Sequence, residues 1–154
     1  MRLVTIGRPR LRPLADAIEE YRRRIGQWQV LEWTAVAPAR GAVGQDPEAA
    51  LRFEGDRLLS ALRTDEFVVL LAVDGVEDDS RAFADRLRRW QVEGRRLAFV
   101  VGGAYGVDDR VAARSQWRWS LSRLTLPHEL AQLVAVEQIY RAFTILAGHP
   151  YHKE

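Results

Sequence analysis

Two hydrophobic rhythms alternate along the chain. Residues 2–7 alternate apolar and polar, then run apolar into Gly7, which predicts a first strand. Pro9 and Pro13 punctuate the turn into a helix. Its Leu14, Ile18, Tyr21 and Ile25 fall at i, i+4, i+7 and i+11, one stripe on a 3.6-residue period. The opposite face (Glu19, Glu20, Arg22, Arg23) reads as solvated, and Gly26 stops the helix. Gln27 to Val36 carries Trp28, Val30, Leu31, Trp33 and Val36, β-formers that predict a second strand. Pro38 to Pro47 has no period and reads as a mobile loop of about ten residues, a length that often carries function. A helix follows from Pro47 to Arg63 with Leu51, Leu58 and Leu62 on one face. Gly55 weakens it by about 1 kcal/mol relative to alanine.

Phe67 to Val73 is a continuous apolar run of branched and aromatic residues, the signature of a central parallel strand buried on both faces. Asp74-Gly75 is read as its end. Asp79 or Ser80 can cap the next helix, whose core face is Phe83, Leu87 and Trp90 and whose stop is Gly94. Leu97 to Val101 is another buried strand, leading into Gly102-Gly103-Ala104-Tyr105-Gly106. Trp117 to Leu121 reads as the last strand. The helix from His128 to Ala147 is apolar on more than one face and is therefore buried, in the domain or against a partner. Strands alternating with helices define an α/β fold: a mostly parallel sheet covered by helices on both faces, in a single domain spanning 1–154.

Composition narrows the chemistry. The chain has no cysteine, which excludes disulfides, thiolate metal sites and cysteine nucleophiles. The N-terminus turns polar too early for a signal peptide, and the longest apolar run is too short to span a bilayer, so a cytoplasmic protein without membrane attachment is expected. Net charge is only +2, and Lys153 is the single lysine among 23 basic residues. Base composition accounts for such a bias, but arginine forks also suit phosphate and stack on bases. His128, His149 and His152 lack a clear third ligand at suitable spacing, so no metal is expected.

The stretch from Gly102 to His128 concentrates the candidate chemistry. Gly102, Gly103 and Gly106 match neither the dinucleotide fingerprint nor the P-loop, yet they let a ligand approach the backbone. Asp108 or Asp109 caps the next short helix and makes a poor anion cradle, so a neutral or cationic ligand fits better. Ser122 to Pro127 supplies main-chain groups and two hydroxyls before Pro127 starts the long helix. Glu137 and Arg141, four apart, can pair on that helix. The ending His149-Pro150-Tyr151-His152 is either a frayed terminus or a docked tail rich in stacking groups.

Val100-Val101-Gly102-Gly103, the block Trp119-Ser120-Leu121-Ser122 with Leu124-Thr125-Leu126-Pro127-His128, and the ending Glu137-Gln138-Ile139-Tyr140-Arg141-Ala142 with His149-Pro150-Tyr151-His152 resemble the SPOUT methyltransferases. Within that family they are similar to the branch that methylates large-subunit rRNA. The resemblance implies a C-terminal trefoil knot, an exception to the rule against threaded chains. It implies a homodimer that binds S-adenosylmethionine in the knot and acts on N3 of a pseudouridine in the assembled ribosome. By matching positions it places Leu71, Gly103, Ser122, Arg123, Leu124, Thr125, Leu126 and Pro127 at the cofactor. A valine at Gly103 is then expected to block the cofactor with the fold kept. Removing the N3 proton needs a base or a route to solvent, for which Glu137, His128 and His152 are the candidates. Arg141 is placed to stabilise the deprotonated base, and Tyr151 to stack on it. The alternatives are a tRNA-directed enzyme of the same fold and an inactive ribosome-binding module.

Overall fold

The computed structural model describes residues 1–153. In chain order it contains β1 (Arg2–Ile6), α1 (Arg12–Ile25), β2 (Glu32–Val36), α2 (Gly41–Gln45), α3 (Pro47–Ala61), β3 (Glu66–Glu77), α4 (Ser80–Val92), β4 (Arg96–Val101), α5 (Asp109–Arg114), β5 (Trp117–Ser120) and α6 (His128–Leu146). The five strands form one sheet in the order β2-β1-β4-β3-β5, and every pairing is parallel. All strand carboxyl ends therefore lie along one edge, where α/β sheets bind ligands.

Alternate residues of each strand feed two cores. Leu3, Val69, Phe99 and Trp119 pack with Ile18 and Ile25 of α1, Phe83, Leu87 and Trp90 of α4, and Val136, Ile139 and Phe143 of α6. Val4, Val68, Leu70 and Val100 pack on the other face with Leu58 of α3 and Val111 of α5. Helices thus cover both faces, as the continuous apolar runs require. At the amino edge, Arg2 of β1 and Glu66 of β3 form a buried pair at 2.9 Å. Arg2 also donates to the Ala61 carbonyl and to Thr34.

Three local expectations change. The second strand begins only at Glu32. Trp28 sits in the preceding turn, its ring stacked on Phe143 of α6 at 5.6 Å, because burial against that helix outweighs its β propensity. The segment expected to be a mobile loop contains α2. Gly44 donates to the Arg40 carbonyl there, and Asp46 caps α3 through the Glu48 and Ala49 amides. Finally, β3 does not end at Asp74-Gly75. It kinks after Leu71 and resumes pairing with β5 at Val76 and Glu77. Glycine is required at that crossing, since a Cβ on Gly75 would stand 2.7 Å from the Arg118 carbonyl carbon.

Candidate functional site

The kink in β3 builds one wall of a cavity of about 880 Å³ at the carboxyl edge of β3, β4 and β5. Leu71 and Trp119 pair, and so do Val76 and Trp119, so residues 72–75 are looped out of the ladder. Ala72, Val73 and Asp74 therefore face the cavity. The second wall is Gly102 to Val107, folded back on itself. Gly103 and Gly106 exchange both backbone hydrogen bonds at 3.1 Å. The third wall runs from Arg118 through Leu126 to His128 and Ala131 at the start of α6. In it Ser122 Oγ accepts from the Leu124 amide, and Ser120 donates to the Ser122 carbonyl.

Trp119 forms the apolar floor, only 3% exposed and stacked on Phe83 at 4.0 Å. Polar side chains are few. Asp74 and Arg118 neutralise one another at 2.5 Å. Asp108 caps α5, and its hydrogen bond with Arg110 holds its carboxyl below the usual aspartate range. A large, mainly apolar cavity with main-chain groups on two walls suits a small-molecule cofactor.

Of the residues singled out from the sequence, Leu71, Gly103, Ser122, Leu124, Thr125, Leu126, Pro127 and His128 line this cavity. Arg123 does not: its side chain is exposed and lies 3.4 Å from Glu77. Gly103 does line it, but the reason for glycine differs from the expected one. A Cβ there would meet Glu54 of α3 at 2.3 Å, so the crowding comes from the protein's own carboxylate. A valine would have to displace that carboxylate tip as well as fill the space beside the cavity.

Glu137, Arg141, Tyr151 and His152 form a second cluster. Glu137 Oε1 accepts from Arg141 at 2.7 Å and from the Tyr151 hydroxyl at 3.0 Å, and Glu137 Oε2 accepts from Gln138. Arg141 lies 4.9 Å from the centre of the Tyr151 ring and 3.4 Å from His152 Nδ1. Tyr151 also meets the Tyr21 hydroxyl at 3.2 Å and packs edge-on against Tyr140. The tail is thus docked on α1 and α6 through Tyr151 and His152, while Glu154 lies outside the described residues. Burial, then the hydrogen bonds with Tyr21 and Glu137, raise the Tyr151 pKa, so the phenol stays protonated. Burial disfavours the Arg141 charge, but Glu137 more than compensates and its pKa is raised.

The cavity and the cluster do not meet within one chain. His128 and Glu137 are two and a half turns apart on α6, on opposite faces. Sequence reasoning missed Glu54, read as one position of a helix, and Tyr21, read only as part of an apolar stripe. Neither carries a local signal, since both gain their partners from elements remote in sequence. Among the described residues, no group of three or more acidic or histidine side chains could hold a metal, and no helix is long and apolar enough to cross a membrane.

A parallel sheet with an apolar cavity at its carboxyl edge agrees with what comparison finds. The sequence profile of the family described as "Predicted SPOUT methyltransferase" matches residues 1–152, and the chain belongs to that family. Among similar proteins are several named "Ribosomal RNA large subunit methyltransferase H". That of Anaeromyxobacter sp. is 45% identical over 153 residues, 99% of each chain. That of Stenotrophomonas maltophilia is 40% identical over 152 residues, covering 99% of this chain and 97% of the relative. The Chromohalobacter salexigens protein is 38% identical over 153 residues, 99% of both.

Proposed function

We propose that this protein is an S-adenosylmethionine-dependent methyltransferase acting on N3 of a pseudouridine in large-subunit rRNA, as a cytoplasmic homodimer working on the assembled ribosome. The observation that carries the reading is the apolar cavity between Leu71 and Pro127, in a chain alignable end to end with large-subunit rRNA methyltransferases. The cavity fits the cofactor in size, in its apolar floor and in its lack of an anion cradle. Its one lining arginine, Arg118, is already neutralised by Asp74. The residues that would hold the cofactor are Leu71, Gly103, Ser122 and Leu124 to Pro127, with Arg123 held at the rim. The trefoil knot belongs to the same reading. The tight crossing of Gly75 over the Arg118 backbone supports it.

When bound, S-adenosylmethionine supplies a methyl group already activated by its sulfonium. The chain's own part is alignment, exclusion of water and handling of one proton. A second copy brings the missing groups. The stripe Leu130, Val134, Glu137 and Arg141 repeats every three to four residues, with Leu130 exposed and the others only partly covered. Pairing two chains through it would set the Glu137–Arg141–Tyr151–His152 cluster of one beside the cavity of the other. Glu137 is committed to Arg141, Tyr151 and Gln138, so it anchors the cluster. That leaves His128 and His152 to take the N3 proton. Arg141 then stabilises the deprotonated base, and the protonated Tyr151 stacks on it.

RNA contact is supported along the same edge. Arg8 and Arg10 follow β1, Arg12 opens α1 and Arg40 follows β2, all exposed, and the two segments are joined by the Gly7 amide to the Val36 carbonyl. The test is transfer of a labelled methyl group to assembled ribosomes, free large subunits or tRNA. The expected product is N3-methylpseudouridine in large-subunit rRNA of assembled ribosomes. Label in tRNA alone would replace the substrate. Ribosome co-sedimentation without cofactor binding would mark an inactive module.

A further inference from the structure

Asp74 is the one acidic side chain lining the cavity among the described residues, and it is already spent on Arg118. A positively charged ligand therefore meets no free counter-charge on the cavity wall. Directly behind the wall the situation differs. Glu54 of α3 is 8% exposed. Its Oε1 accepts from the Ala39 amide at 3.0 Å, while Oε2 has no hydrogen-bond partner, and no arginine or lysine among the described residues pairs with this carboxylate.

Gly103 lies between Glu54 and the cavity. A Cβ on Gly103 would lie 2.3 Å from Glu54 Oε2, so one of its α-hydrogens points at that oxygen while its main chain lines the cavity. Glu54 is held there. On the next residue, a Cβ at Gly55 would lie 2.6 Å from Asp108 Cβ, so α3 is pressed against the loop that follows Gly103. A buried carboxylate without a cation is costly, and its field crosses one thickness of backbone with little screening.

We infer that Glu54 determines cofactor specificity: acting through Gly103, it is the counter-charge for the positive sulfonium. The pocket thereby prefers the cationic methyl donor to the neutral thioether left after transfer, which favours product release. No bond is made or broken at Glu54. The inference rests on the reading of the cavity as the S-adenosylmethionine site.

The test is calorimetric titration of the full chain with S-adenosylmethionine and, separately, with S-adenosylhomocysteine. Glu54→Gln keeps the shape and an acceptor for Ala39. It should lose about tenfold in affinity for the sulfonium while the thioether stays within about twofold. Glu54→Asp keeps the charge but draws it back, and should lose less, again for the sulfonium alone. A parallel loss for both ligands in either variant makes Glu54 a structural residue and overturns the inference, as does an unchanged ratio in Glu54→Gln. Wild-type protein that binds neither ligand would instead remove the cofactor reading itself.

Discussion

Gly75→Ala probes a place where two segments of backbone approach closely. The added methyl would lie 2.7 Å from the Arg118 carbonyl carbon and 2.8 Å from both its oxygen and the Ser120 amide nitrogen. Carbon atoms attract best at about 3.5–4.0 Å, so the two segments must part by most of an ångström. Neither can rotate out of the way, because all three atoms are backbone. Pairing of Val76 with Trp119 and Glu77 with Ser120 holds one side, and the Asp74–Arg118 ion pair holds the other. Overpacking of this kind costs about 2 kcal/mol, which for a domain of this length is a Tm decrease of about 6 °C. The chain should still fold, since domains hold about 5–15 kcal/mol in reserve. The same parting displaces residues 72–74 and 118–122, two walls of the cavity, so affinity for S-adenosylmethionine should fall about tenfold. Thermal denaturation and calorimetry check both effects. An unchanged Tm together with unchanged affinity would refute the reasoning.

Glu66→Ala leaves the Arg2 guanidinium buried without its carboxylate and should cost about 3 kcal/mol in urea denaturation. A loss below about 1 kcal/mol would mean that Ala61 and Thr34 suffice for Arg2. Tyr151 holds its proton more tightly in the folded chain than in the unfolded one. The linked stability is complete below the ordinary tyrosine pKa of about 10 and is lost as pH rises beyond it. Tyr151→Phe should therefore flatten the alkaline decline of Tm, and parallel declines would contradict this. Removing residues 151–154 should leave cofactor affinity within about twofold, because the cavity keeps all its walls, and should abolish methyl transfer. An unchanged rate would detach the tail from the chemistry.

The alternation of apolar runs was enough to read the layers, since central strands buried on both faces are apolar over most of their length. The stretch Gly102–His128 was legible as a ligand site because its glycines, hydroxyls and Pro127 leave main-chain groups free beside a buried strand. Contacts between segments far apart in sequence were not legible. Asp74-Gly75 reads as a turn by propensity, and only the proximity of Arg118 shows why glycine is needed mid-strand. Gly103 reads as room for a ligand, whereas the space is filled by Glu54, about fifty positions away. Trp28 looks like a strand residue until Phe143 is placed against it. His128, Glu137 and His152 were equal candidates for the base, and the pitch of α6 sets the first two on opposite faces.

A crystal structure of the protein with S-adenosylmethionine bound tests the central claim most directly. The ligand is expected in the cavity, between residues 71–74 and 122–126 and against Gly103, with the Glu137–Tyr151 cluster of a second copy facing the opening. A ligand seated away from these walls, or a cavity closed by its own chain's tail, would contradict it.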